Sequence, residues 1–160
     1  MRVEQIFLAE AAVTDSRGAL ALIGVNQRVL VIPAMPFSIG LRCVVTLTDE
    51  VAGTIGREFD RQTNGNISVG VVDPEGRTTF SVTQMVGGPE KRFADLPTIL
   101  NAISDLSITG TSYGIYGVQI NFSAVDGGAQ EQTIPIYVIP QPTFTDSDSS
   151  TRAFDVSQHA

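Results

Sequence analysis

The side chains that most often carry catalysis are scarce in this chain. Its 160 residues include one histidine, His159, and one cysteine, Cys43. A Ser-His-Asp or Cys-His arrangement needs a base held by a rigid scaffold, and a histidine beside the last residue could serve only if the chain end docked. Cys43 falls on the apolar side of an alternating segment, where a cysteine packs as a small hydrophobic residue. Two such residues are too few for a zinc site built from cysteine and histidine.

Carboxylates are the remaining side chains able to do chemistry. Five of them lie where the pattern predicts strand ends and turns: Asp49, Glu50, Asp73, Glu75 and Asp126. Loops at one end of a β-sandwich can gather such oxygens around calcium. A carboxylate pair could also hydrolyse a glycosidic bond, although this chain has no tryptophan and only three tyrosines to form sugar platforms. Solvated turn residues are the simplest interpretation.

Short motifs add no cofactor site. Gly110, Gly114 and Gly117 precede a predicted strand rather than a helix, so they lack the helix N-terminus that binds phosphate. The segment 87–91 lacks the spacing of a phosphate-binding loop. Asp146-Ser147-Asp148 lacks the glycine and glutamate that complete a calcium loop. We therefore assign no catalytic, cofactor-binding or metal-binding residue from the sequence.

The net charge of −7, from seventeen acidic and ten basic residues, disfavours nucleic acid and anionic membranes as partners. Lys91 is the sole lysine, and the acidic residues are scattered along the chain. A single cysteine allows no internal disulfide, no signal peptide is evident, and no apolar run is long enough to span a membrane. These features predict a soluble cytoplasmic protein.

Alternation of apolar and polar residues with a period of two dominates the chain. From Phe37 to Thr48 every odd-numbered residue is apolar, which predicts a strand with one buried face. Residues 116–122 alternate in the same way, and residues 134–138 alternate after the turn residues Asp126-Gly127-Gly128. This second pattern predicts a hairpin with a loop of several residues.

Further strands and breaks complete the predicted architecture. Strands are also predicted over 6–13, 19–24, 67–71 and 78–86. Asp73-Pro74-Glu75-Gly76 has the residue types of a β-turn, and Pro33-Ala34-Met35-Pro36 breaks the chain. Residues 96–108 fit both helical and strand periodicity, so we favour a strand and leave a short helix near 96–104 open. The prediction is an all-β protein, an antiparallel β-sandwich of about eight strands.

The composition changes near residue 140, which predicts one sandwich domain over 1–140 and a polar tail or arm over 141–160. A chain of this length builds about one hydrophobic core. Residues 143–160 are rich in serine and aspartate and poor in apolar residues, apart from Phe144 and Phe154. Those two rings could pack on a partner chain.

Several segments resemble one known family. They are Phe7-Leu8-Ala9-Glu10-Ala11-Ala12-Val13, Leu22-Ile23-Gly24-Val25, Val72-Asp73-Pro74-Glu75-Gly76-Arg77 and Gly114-Ile115-Tyr116-Gly117-Val118. Together they resemble a family of uncharacterised bacterial proteins, common in actinobacteria and defined only as a domain of unknown function. The resemblance spans about residues 3–139; the stretch Val51 to Asn64 and the tail depart from it. It implies a β-sandwich and a strand near residue 100, and it carries over no functional residue.

The sequence is compatible with three functions. The first is a non-enzymatic interaction or structural module, since strands with polar, weakly charged outer faces and exposed edges favour pairing with another chain. Its expected partner is another protein or a second copy of this chain. The alternatives are a calcium-dependent binding domain using loop carboxylates and a carboxylate-based hydrolase.

Overall fold

Ten β-strands make up most of the part of the chain that the structure describes. This computed structural model describes residues 2–16, 19–26, 28–49, 64–87, 98–124 and 128–142. The strands are β1 (Arg2–Ala9), β2 (Ala11–Thr14), β3 (Leu20–Ile23), β4 (Val29–Ile32), β5 (Phe37–Asp49), β6 (Asn64–Val72), β7 (Thr78–Gly87), β8 (Thr98–Gly110), β9 (Gly114–Ala124) and β10 (Ala129–Pro140).

Two of the sheets face each other across the core, so the predicted all-β sandwich is confirmed. One sheet has the strand order β1-β5-β8 and the other has the order β4-β10-β9-β6-β7. Neighbouring strands pair antiparallel within both sheets except β4 and β10, which run parallel. Strands β2 and β3 form a separate two-stranded ribbon.

The core lies between the two sheets and follows the predicted alternation. In β5 the odd-numbered residues from Phe37 to Leu47 point inward, and Leu41, Cys43, Val45 and Leu47 are each at most 4% exposed. From the opposite sheet Val118, Ile120 and Phe122 and their neighbours close the same cluster. Successive side chains of a strand point to opposite faces, so period-two patterning is sufficient to seal such an interior.

The described ranges hold ten strands rather than about eight, partly because the predicted strand 6–13 divides at Glu10. β1 pairs with β5, whereas β2 pairs with β3. At the division the amide of Asn26 donates to the carbonyl of Leu8, and the amide of Glu10 donates to the carbonyl of Ile23. The chain therefore changes its hydrogen-bonding partner at Glu10, which periodicity along one segment cannot reveal.

The ambiguous segment near residue 100 is a strand. β8 covers Thr98–Gly110 and pairs with β5 along its whole length, from Thr98 opposite Asp49 to Gly110 opposite Phe37. No helix is present in the ranges described above, so the helix left open near 96–104 is wrong for residues 98–104; residues 96 and 97 lie outside those ranges. The full-length pairing with β5 gives the backbone groups of β8 that face β5 hydrogen-bond partners, whereas a short helix leaves the groups at its ends without partners.

A buried hydroxyl links the two sheets. The side chain of Gln84 on β7 points inward and donates through Nε2 to Oγ of Ser104 on β8, at 3.1 Å. Ser104 is 5% exposed, so this bond satisfies a hydroxyl that would otherwise be costly to bury.

Within the described residues, no helix has the length and apolar composition needed to cross a membrane.

Candidate functional site

A cleft opens at one end of the sandwich, between the β6–β7 turn and the β8–β9 connection. Its volume is about 500 Å³. It is lined by Pro36, Phe37, Asp73, Glu75, Arg77, Thr78, Thr79, Thr109, Gly110, Thr111 and Ser112. Two of the five carboxylates singled out in the sequence, Asp73 and Glu75, therefore lie together in the cleft with one arginine.

Asp73 builds the turn on which the cleft depends. Its Oδ1 accepts hydrogen bonds from the amides of Glu75 at 3.0 Å and Arg77 at 2.8 Å. Its own amide donates to the carbonyl of Arg77 at 2.9 Å, and its carbonyl accepts from the amide of Gly76 at 3.0 Å. Gly76 has a φ of +83°, a backbone conformation that glycine adopts without steric cost. The turn predicted from Asp73-Pro74-Glu75-Gly76 is thus confirmed, with the aspartate as its organising side chain.

Arg77 lies between the two carboxylates. Its Nε and Nη2 both contact Oδ2 of Asp73 at 2.7 Å, and Nη2 also contacts Oε2 of Glu75 at 3.0 Å. The other oxygen of Glu75, Oε1, accepts from Oγ of Ser112 at 3.3 Å. Because one nitrogen contacts both acids, those two oxygens lie within about 6 Å of each other, a separation compatible with paired-carboxylate hydrolysis.

The hydrogen bonds and the positive charge of Arg77 favour the ionised form of Asp73. Burial acts to raise the pKa of Asp73, which is 7% exposed, but hydrogen bonds from Arg77, the positive charge of Arg77 and the Glu75 amide outweigh it. The pKa of Asp73 is therefore lowered. The pKa of Arg77 is raised, mainly because the Arg77 side chain donates a hydrogen bond to Asp73. A general acid needs a raised pKa to hold its proton near neutral pH, so Asp73 is unsuited to that role.

A variant with Arg77 replaced tests this electrostatic description. We expect Arg77→Met to lower the melting temperature by several degrees at pH 7, because it leaves Asp73 buried without its cation. The folded-state pKa of Asp73 lies below its ordinary value of 3.8, so the stabilisation is complete above that value and is lost as the pH falls through the folded-state pKa. The difference between the two melting temperatures should therefore shrink toward acid pH in thermal unfolding followed by circular dichroism.

Arg42→Met is the matched control for that experiment. Arg42 also pairs with an acid, Asp105, at 3.1 Å, but both side chains are exposed on the outer face of the three-stranded sheet β1-β5-β8. Exposed pairs of this kind contribute little to stability. Equal losses in the two variants, or a loss for Arg77→Met that does not change with pH, would contradict the assignment.

The structure does not describe the side chains of the other three carboxylates that the sequence singled out, so none of them is assigned to the cleft. Asp49 ends β5, but its side chain lies outside the part of the chain that is described, as do Glu50, Asp126 and the whole tail from residue 143. The described ranges contain no group of three or more histidine, cysteine, aspartate or glutamate side chains able to hold a metal ion. The calcium hypothesis therefore stays a prediction.

Cys43 is buried in the core and is 0% exposed, as its position in the alternating strand predicts. It faces Leu8 and Ser104 in the two flanking strands. Burial raises the pKa of its thiol to about 12, so the reactive thiolate is almost absent at neutral pH. This environment belongs to a structural cysteine rather than a nucleophile.

We expect Cys43 to be inert toward a thiol reagent in the folded protein. At pH 8 Ellman's reagent should release almost no colour from the native chain and one equivalent after unfolding in urea. The unfolded chain is the internal control, because its thiol regains an ordinary pKa. Rapid reaction of the native protein would show that the strand opens or that the thiol is exposed.

An exposed apolar surface is the feature that sequence reasoning missed. On the outer face of the five-stranded sheet, apolar side chains of β4, β9 and β10 are 41–58% exposed: Val29, Val31, Ile115, Tyr137 and Ile139. We call these five residues the outer apolar patch. The signal was present in the sequence, since 29–32 and 136–139 are apolar at both odd and even positions, and such runs are typical of strands covered on both faces.

Most of the remaining outer face is polar, and Met85 on β7 is an isolated exposed apolar residue there. A shallow groove of about 540 Å³ is lined by Asn66, Ser68, Thr83, Asn121, Phe122, Ser123, Ala129, Gln130 and Glu131. Cross-strand hydroxyls bond here, with Thr83 Oγ1 donating to Ser68 Oγ at 3.1 Å. The outer apolar patch is therefore confined to one end of the sheet.

Comparison with known proteins gives no relative from which a function could be transferred. No protein-family model matches the chain, and a search of curated proteins also finds no match.

Proposed function

We propose that this chain is a non-enzymatic β-sandwich module that acts by binding another polypeptide chain. The observation that carries the proposal is the outer apolar patch, a cluster of five large side chains about half exposed at one end of a mostly polar face. Contiguous apolar surface of this size on a folded domain is frequently an interaction site. We also propose that the chain belongs to the family of uncharacterised bacterial proteins that its sequence resembles, and that it lies in the cytoplasm. The net charge of −7 disfavours nucleic acid and anionic membranes as its partners.

The chemistry of the cleft supports a binding role over catalysis. Every acceptor of the Asp73 carboxylate is used within its own turn, by two amides and by Arg77. Ionised Asp73 has a structural task that accounts for its burial and its lowered pKa. A catalytic carboxylate needs an acceptor or a proton left available to the substrate.

Site-specific photo-crosslinking tests the proposal directly. Tyr137→benzoylphenylalanine places the reactive group in the outer apolar patch, and irradiation of cells expressing the full chain should give covalent protein adducts. Met85→benzoylphenylalanine is the control, because Met85 is 85% exposed on the edge strand β7, away from the patch. Adducts at position 137 that do not exceed those at position 85 would refute the binding role of this surface.

A carboxylate-based hydrolase is the second candidate, favoured by the approach of Asp73 and Glu75 within one cleft. Its test is hydrolysis of a panel of aryl glycosides by the wild-type chain and by Glu75→Gln, which retains the shape of the side chain. Turnover that Glu75→Gln abolishes would establish the enzyme, and absence of turnover in the wild type would remove it. Thermal unfolding in millimolar calcium and in chelator tests the calcium alternative, for which a rise in melting temperature is required.

A further inference from the structure

The outer apolar patch is a continuous surface built by strand register. Tyr137 on β10 lies directly opposite Ile115 on β9 and is paired with Val29 on β4. One register position further along, Ile139 is paired with Val31. Residues paired in this way project from the same face of a sheet about 5 Å apart, so the patch is three strands wide without a polar interruption.

The strands beneath the patch are apolar on both faces. The inward residues Leu30, Ile136 and Val138 are at most 7% exposed, while the outward residues between them stay about half exposed. Farther along β9 and β10 the outward residues are polar, as at Asn121 and Thr133. The change from polar to apolar is therefore local, and it marks the end of the face that a second surface would cover.

We propose that a second copy of this chain covers the outer apolar patch, with the two patches packed face to face about a two-fold axis. Five half-exposed side chains of this size present on the order of 500 Å² per copy, so a pair buries about 1,000 Å², the lower limit for a specific interface. A two-fold interface uses the same surface twice and requires that surface to be self-complementary. An apolar patch without a charged side chain meets that requirement, because burying it leaves no charge unpaired.

The size of the patch and the charge of the chain define how this dimer should behave. An interface near the lower size limit is expected to be weak, with dissociation in the micromolar range. Each copy carries a net charge of −7, so the two copies repel each other beyond the contact. Added salt screens this repulsion and should shift the equilibrium toward the dimer.

Sedimentation equilibrium of the full chain from about 1 to 100 µM, a range chosen to bracket micromolar dissociation, tests the inference. The wild type should change from 17.0 kDa to twice that mass with rising concentration, and at lower concentration when salt is added. The double variant Tyr137→Thr and Ile139→Thr should stay at the mass of one chain, because threonine keeps the strand propensity while removing apolar area. Met85→Thr and Ile99→Thr are the controls, since both residues are well exposed outside the patch and should leave the dimer intact.

This inference rests on the proposed binding function but fails separately from it. A wild type that stays at 17.0 kDa throughout overturns the dimer, whether another protein or the tail of the same chain covers the patch. A dimer that survives the double variant overturns it as well, because the contact would then lie elsewhere. If the wild type is monomeric yet position 137 still crosslinks to a different protein, the binding function stands and only self-association is wrong.

Discussion

Gly110→Ala is expected to lower the free energy of unfolding by about 3 kcal/mol, the upper range for overpacking a filled core. A Cβ atom at position 110 would overlap the hydroxyl of Tyr116 and lie 2.9 Å from Cε1 of Phe37. Tyr116 cannot withdraw, because it is 0% exposed and its hydroxyl donates to the carbonyl of Ser112 at 2.9 Å. Its ring also packs edge-on against Phe37, with centroids 5.7 Å apart.

Gly40→Ala is the matched control for this prediction. Gly40 lies in β5, the strand that pairs with β8, and a Cβ atom there meets no atom within 4 Å. Replacing it should leave stability unchanged or raise it slightly, because alanine reduces the freedom of the unfolded chain. Urea unfolding of both variants, followed by far-ultraviolet circular dichroism, measures the difference; similar midpoints for the two would contradict the close packing at Gly110.

Ile120→Ala is the second substitution with a large expected effect, a loss of about 3 kcal/mol, as is usual for truncating a buried isoleucine. Ile120 is 1% exposed and faces the core from β9. The comparison is Ile115→Ala in the same strand, where the side chain is 58% exposed on the opposite face. That variant should lose less than about 1 kcal/mol, since most of its surface is already in contact with water.

Comparing Ile120→Ala with Ile115→Ala tests which face of β9 is buried in the sandwich. If the faces of β9 are assigned correctly, the two losses differ by a factor of about three in urea unfolding at a low micromolar protein concentration, where a weak dimer contributes little. Equal losses would mean that β9 is covered equally on both sides or on neither.

Local pattern was sufficient to predict the strands that have one dry face. The alternation from Phe37 to Thr48 predicted β5 and its inward residues, and the alternation over 116–122 predicted the inward face of β9. The turn residues Asp73-Pro74-Glu75-Gly76 predicted the β6–β7 connection. Each of these features depends on neighbouring residues and the period of the strand, so a single sequence contains the necessary information.

Features that depend on distant residues were not predictable in this way. The division of the first strand at Glu10 follows from the amide of Asn26 bonding to Leu8, a contact between segments that periodicity treats independently. Val44 is another case: it lies on the face opposite the core residues of β5, yet it is 0% exposed. β2 contacts β5 in the fold, so part of that outer face is not in solvent.

The sequence by itself determined that this protein is a β-sandwich with Cys43 in its core and too few histidines and cysteines for a zinc site built from them. Only the tertiary structure decided that Arg77 pairs with both acids of the end cleft and that apolar side chains of β4, β9 and β10 meet on one outer face. The physical reason is that burial of a strand face is encoded by alternation within the strand. Cross-strand register and the approach of one loop to another arise from pairing between segments far apart in the chain.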